Sequence, residues 1–162
     1  MTPQVKNQST AKTQLVVFKL GDEEYALPIA CVQEIIRYTE PRSVASKDRF
    51  VRGVINLRGN IVPIYDLKER LGLPAFDADN AKLVIIELAT GVAGAIVDEV
   101  TEVLTTEIGD FEDVPAADHD AISGVVKLDQ RLLVLLDPEN VVPRGDGDGS
   151  LGSSGPVAGQ SQ

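Results

Sequence analysis

Short runs of Val, Ile and Leu alternate with polar turns along most of the chain, with Leu83-Val84-Ile85-Ile86 and Leu132-Leu133-Val134-Leu135-Leu136 the clearest. Branched side chains are stiff at χ1 and pack well on a pleated surface, so the pattern predicts strands. Residues 15–20 and 24–28 are strand-like, and Gly21-Asp22-Glu23 between them is a hairpin signal. A brief helical turn is expected near Ile29 to Val32, then a strand through Ile36. Segments 53–58 and 60–65 form a second hairpin about Arg58-Gly59-Asn60. Pro63 cannot donate to a ladder, which predicts an edge position or a bulge for its strand. A short helix fits 67–71: Asp66 caps it, Glu69 completes a capping box, Gly72 takes the left-handed position and Pro74 blocks extension. Further strands are expected near 83–88, 93–98, 100–105, 123–128 and 132–136.

The pattern repeats. Gly53 to Asp66 aligns without a gap on Gly124 to Asp137, with Gly, Val, Leu and the final Asp coincident. Leu15 to Leu20 lies over Leu83 to Leu88, and in the same register Val32 to Ile36 lies over Val100 to Leu104. Two related β units are therefore expected, about 14–73 and 82–138, each a meander of five short strands. Five strands per unit suggest a pair of small barrels packed together, a mainly β fold with short helices. A unit of roughly 60 residues buries too little surface to be comfortable alone, which predicts an apolar seam between the two.

Residues 1–13 and 144–162 are poor in apolar side chains and are expected to be flexible tails around a folded region of 14–143. Hydrophobic residues make up 43 % of the 162, enough for a real core. The formal charge of −10, with no clustered Lys and Arg in sight, argues against a nucleic-acid surface and toward partners with basic patches. Cys31 stands alone, so no internal disulfide is possible and a reducing compartment fits. No apolar stretch approaches the roughly 20 residues of a membrane helix, and Met1 to Asn7 lacks a signal peptide's apolar segment. A cytoplasmic protein is expected, reaching a membrane only through a partner.

Reaction chemistry is hard to assemble from these residues. His119 is the single histidine and lies in the acidic stretch 110–120, while Cys31 is flanked by strands and reads as an inert small hydrophobe. A structural zinc site needs four Cys or His ligands, and the acidic stretch lacks the spacing of a calcium loop. No phosphate-cradling glycine loop is present. No cofactor and no catalytic set are expected, which favours a binding module over an enzyme.

The segment Phe50-Val51-Arg52-Gly53-Val54-Ile55-Asn56-Leu57-Arg58-Gly59-Asn60-Ile61-Val62-Pro63-Ile64-Tyr65-Asp66-Leu67 closely resembles the signature of the chemotaxis coupling protein family, CheW. Gly21 to Pro28 and Val32 to Ile36 look like that family's opening, and Gly124 to Asp137 like its closing hairpin. The resemblance implies two five-stranded SH3-like β-barrels on a shared hydrophobic interface. It also implies a non-enzymatic adaptor that couples the cytoplasmic helical tip of chemoreceptors to the regulatory barrel domain of a histidine kinase, with no direct membrane contact. The chain departs from the family in Val44 to Arg49, where prolines are common, and in Asp129-Gln130, where Asp-Gly is usual.

Three residues are the candidates for partner contact. Arg58 sits at a hairpin tip whose counterpart is Asp129, so the turn itself does not require Arg, and a guanidinium there suits a partner's carboxylate. A solvated surface Arg is the plain alternative. Val32 and Glu34 share one strand face by alternation and would suit an apolar helix with a basic rim, unless Val32 is core. Gly53, Asn56, Gly59, Asp66 and Gly124 read as structural: turns, close backbone approach and a helix cap. Two other readings stand beside the chemotaxis adaptor: a coupling protein of a surface-motility or biofilm pathway, and a β protein binding a small ligand between its barrels.

Overall fold

The computed structural model describes residues 12–46, 48–107, 111–113 and 120–142. Eleven strands run in the order β1 (Lys12–Leu20), β2 (Glu23–Pro28), β3 (Val32–Arg37), β4 (Val51–Leu57), β5 (Asn60–Asp66), β6 (Lys82–Leu88), β7 (Gly91–Val97), β8 (Glu99–Glu107), β9 (Phe111–Glu112), β10 (Ile122–Leu128) and β11 (Arg131–Leu136). A 3-10 turn at Ile29–Cys31 precedes β3, α1 (Leu67–Arg70) follows β5, and α2 (Pro138–Val141) follows β11. The strand β1 starts at Lys12, inside the stretch read as tail, because Lys12 and Thr13 pair with Glu107 and Thr106 of β8. Neither β9 nor α2 was expected from the pattern, although Asp137-Pro138 carries a cap and a first-turn proline.

The strands form two sheets, one of six in the order β8-β1-β2-β11-β10-β9 and one of five in the order β3-β6-β7-β5-β4. The sheets do not follow the repeat halves. Each takes the opening hairpin of one half and the closing hairpin and third strand of the other. Substituting β6, β7, β8, β10 and β11 for β1, β2, β3, β4 and β5 converts one order into the other, save for the added β9. The halves meet along four pairings, two parallel (β11 on β2 and β5 on β7) and two antiparallel (β1 with β8 and β3 with β6). A self-contained meander in each half is thus replaced by an exchange, because the chain after β2 crosses through the 3-10 turn and β3 pairs with β6.

Burial explains the unbroken apolar runs. β1 and β6 lie inside their sheets with both faces covered, so alternation gives way to continuous Val, Ile and Leu. Phe18 and Leu20 of β1 and Val84 and Ile86 of β6 point into a shared cluster between the sheets, with Leu27, Tyr65, Ala95 and Leu136. Their intervening neighbours point the other way: Leu15 and Val17 into the six-stranded sheet's own cluster, Leu83 and Ile85 into that of the five-stranded sheet. Fully burying one such side chain stabilises by about 1.5–3 kcal/mol. The shared cluster is an apolar seam, but it lies between two sheets that each draw on both halves, not between the halves themselves as the sequence predicts.

The strand carrying Pro63 is interior, with β7 on one side and β4 on the other, so the edge expectation fails. Val54, opposite Pro63, turns its backbone groups outward: its amide donates to the Arg42 carbonyl at 2.9 Å and its carbonyl accepts from the Arg42 amide at 2.8 Å. Pro63 therefore faces a position that offers no ladder bond, and pairing with β7 starts only at Ile64. The bulge lies instead on β4, between Val51 and Gly53.

Candidate docking surface

The β4–β5 turn presents Arg58. Both central residues are left-handed, Arg58 at φ 53° and Gly59 at φ 86°, as a two-residue hairpin of type I′ requires. Asn56 braces the turn by accepting the Gly59 amide at 2.9 Å. In the second hairpin Asp129 alone adopts positive φ, at 49°, and Gln130 does not, so the Asp-Gln departure keeps the hairpin with a different turn. The Arg58 guanidinium donates to the carboxylate of Glu34 on β3. Since β3 and β4 are opposite edges of the five-stranded sheet, the sheet must curl far enough to bring them side by side. The hydrogen bond from Arg58 holds the Glu34 carboxyl below the usual carboxylate range and pushes the guanidinium up.

The sequence suggested that Arg58 awaits a partner's carboxylate; the fold supplies one from Glu34. Arg58 nonetheless remains largely outside, with 69 % of its side chain accessible against 23 % for Glu34. Val32 is half-buried against the shared cluster, while its neighbour Ile35 is exposed. Alternation predicts one face for Val32 and Glu34, and the fold overturns it: the pairing of β3 with β6 slips between them, so Val32 lies opposite Ile86 on the shared-cluster side and Glu34 lies opposite Ile85 on the other side.

Two exposed aliphatic pairs escaped the sequence reading. Ile35 and Ile61 in the five-stranded sheet correspond by the repeat to Val103 and Leu132 in the other, and all four are exposed. The signal was present in the alignment, as apolar residues at matching positions, but apolar identity alone reads as core. The second rim is closed by a different pair of strands: Arg131 reaches Glu24 at 3.0 Å and Glu102, the counterpart of Glu34, at 2.6 Å. The hydrogen bond from Arg131 also holds Glu24 below the ordinary carboxylate range.

The remaining singled-out residues hold backbone. A Cβ on Gly53, at φ +151°, would lie 2.3 Å from the Arg42 carbonyl oxygen, and one on Gly124 would lie 2.8 Å from that of Glu112. The Asp66 carboxylate accepts the Glu69 amide at 3.1 Å and is buried. Cys31 donates to the Pro28 carbonyl, and burial pushes its thiol up to about 11, so it stays protonated near neutrality. His119 lies outside the described residues. Among the described residues no three His, Cys, Asp or Glu side chains gather as metal ligands, and no helix is long and apolar enough to cross a membrane.

Two sheets wrapped about one core, with a rim of ion pairs and exposed aliphatic side chains, define a small β scaffold whose candidate site is a surface for docking. Comparison with known proteins gives the same class. Residues 14–145 match the CheW-like domain model. The chain is 32% identical over 149 residues to the chemotaxis protein CheW of Bacillus subtilis, covering 89% of this chain and 93% of that protein. It is 31% identical to the chemotaxis protein CheW of Rhizobium meliloti, over 88% and 96% of the two chains. The crystal structure of the scaffolding protein TtCheW from Thermoanaerobacter tengcongensis superposes with a TM-score of 0.72 at 31% identity, over 77% of this chain and 88% of that one. The chain belongs to the CheW-like family.

Proposed function

We propose that this protein is a non-enzymatic chemotaxis adaptor, joining the cytoplasmic helical tips of chemoreceptors to a histidine kinase in the cytoplasm. The observation that carries the reading is the two-sheet scaffold matched over most of its length to proteins named for chemotaxis. The receptor side is assigned to the rim formed by Glu34 and Arg58, with Val32 packed on the other side of β3 as support. A receptor helix would lie along this rim, its acidic side chains competing with Glu34 for the guanidinium. The kinase's regulatory barrels would meet the sheet ends bearing Ile61 and Leu132. Receptor state changes kinase output only where the contacts differ between two arrangements, since a partner that binds both equally shifts neither.

The test uses charge reversal. Arg58→Glu is expected to abolish co-sedimentation with receptor-containing membranes and receptor control of the kinase. The exchange Glu34→Arg with Arg58→Glu restores the internal pair, and it is expected to leave receptor binding lost. Unimpaired coupling in the single variant would remove Arg58 from the site. Full recovery in the exchange would make the pair a positioning device rather than a contact.

A further inference from the structure

Charge is unevenly placed in this chain. Residues 37–70 hold eight of its 15 Lys and Arg, although the whole carries −10. The fold stacks two of these arginines on Phe50 and a third, Arg52, on Phe76, and Arg52 is linked to the helix that carries Arg70 through its cap, Asp66, an arrangement not visible in the sequence pattern. The guanidinium carbons of Arg49 and Arg70 lie 5.3 and 5.7 Å from the centroid of Phe50, and that of Arg52 lies 5.3 Å from the centroid of Phe76. An arginine stacked on a ring is held in place while its N–H fork stays available for a planar anion.

These forks are poorly used. Among the described residues, Arg49 and Arg70 make no ion pair, and Arg52 has only a long contact of 3.9 Å to Asp66. The Nε of Arg70 is buried without an acceptor, and its one hydrogen bond is a long one of 3.4 Å to the Asn140 carbonyl. The neighbouring carboxylates are already engaged with backbone: Asp48 accepts the Phe50 amide at 2.9 Å and Asp66 caps α1. The exposed forks of Arg49 and Arg52 are therefore open to an acceptor from outside, while the Arg70 Nε, being buried, lies beyond its reach.

We infer that the cluster of Arg49, Arg52 and Arg70 on Phe50 and Phe76 is a docking site for an acidic peptide segment of a partner protein. Carboxylates fit because each can take two parallel N–H bonds from one fork. A nucleic acid does not fit: it needs a long basic track, which three arginines do not provide. Screening over about 10 Å at 0.1 M salt still lets a short acidic segment feel the local cations at contact. The site is distinct from Arg58, which lies at the other end of β4, about 20 Å away at roughly 3.3 Å per residue.

Fluorescence anisotropy with a fluorescein-labelled octaglutamate peptide and the full chain tests this with neither receptor nor kinase present, so its outcome is independent of the coupling role. The wild-type chain is expected to bind the peptide saturably. Arg49→Ala with Arg52→Ala, both on exposed side chains, should weaken binding roughly tenfold or more. Arg70→Lys, which keeps charge but loses the fork, should weaken it measurably, and Lys127→Ala on the other sheet should not. Absence of saturable binding, equal binding by the double variant, or tighter binding of an oligothymidylate of equal charge would each overturn the assignment.

Discussion

Arg58 and Glu34 show how one residue pair does the work of a sheet closure. Neither is buried deeply, and a surface pair of this kind adds little to stability on its own. Its role is to fix where the β4–β5 tip sits relative to β3. Glu24 and Glu34 both have native carboxyl groups lowered from 4.5 by arginine hydrogen bonds. A lowered native value means that their contribution is fully present above the unfolded value and is lost as pH falls through the native one. Urea midpoints measured from pH 6 down to pH 3 should therefore fall less steeply in Arg58→Gln than in the wild type. Identical slopes would show that the pair does not persist in solution. Arg58 was legible in the sequence as a hairpin tip, from Arg-Gly-Asn between aliphatic runs. Its partner was not, because the contact spans 24 residues and joins opposite sheet edges, and local patterning is silent about both.

Elements were legible where periodicity and turn chemistry agreed. The second hairpin, the short helix after Asp66 and most strand limits emerge within a residue or two of expectation. Failures came where a partner decides the outcome: β9 is two residues paired with β10 and packed through Phe111 on the six-stranded sheet's own cluster, and Pro63 is interior because Val54 turns outward. The junctions between elements carry their own anchors. Asp98, between β7 and β8, accepts the Gly21 amide of the β1–β2 turn at 2.6 Å and the buried Lys68 ammonium of α1 at 2.8 Å. At the equivalent turn, the Ala89 amide is met directly by Glu139 of α2 at 2.9 Å. Asp98→Ala would strand the Lys68 charge in a largely buried site, and is expected to destabilise by about 3 kcal/mol. Chemical denaturation reads this. A loss within experimental error would mean that Lys68 swings out to water.

At the scale of the whole molecule, the repeat was legible and its consequence was not. Aligned strands say that two halves share a plan, yet periodicity cannot say which strand pairs with which. Here every sheet needs both halves, joined by β11 on β2 and β1 on β8 in one and by β5 on β7 and β3 on β6 in the other. Fragments 12–73 and 82–142 should each be unfolded when made separately. Mixed at equal concentration, they should regain strand circular dichroism as a one-to-one complex. A fragment that folded alone as a monomer would show that the exchange is not what holds the sheets together.

The same crossing has a bearing on ancestry and design. A polypeptide with the plan of a single half lacks a complete sheet, but two such molecules trading hairpins would supply each other with all five principal strands of both. Such a dimer would carry two matching tips and two matching rims. Linking the copies into one chain would free those places to differ, as Arg58 and Asp129 do here, and would give such a two-faced object a front and a back.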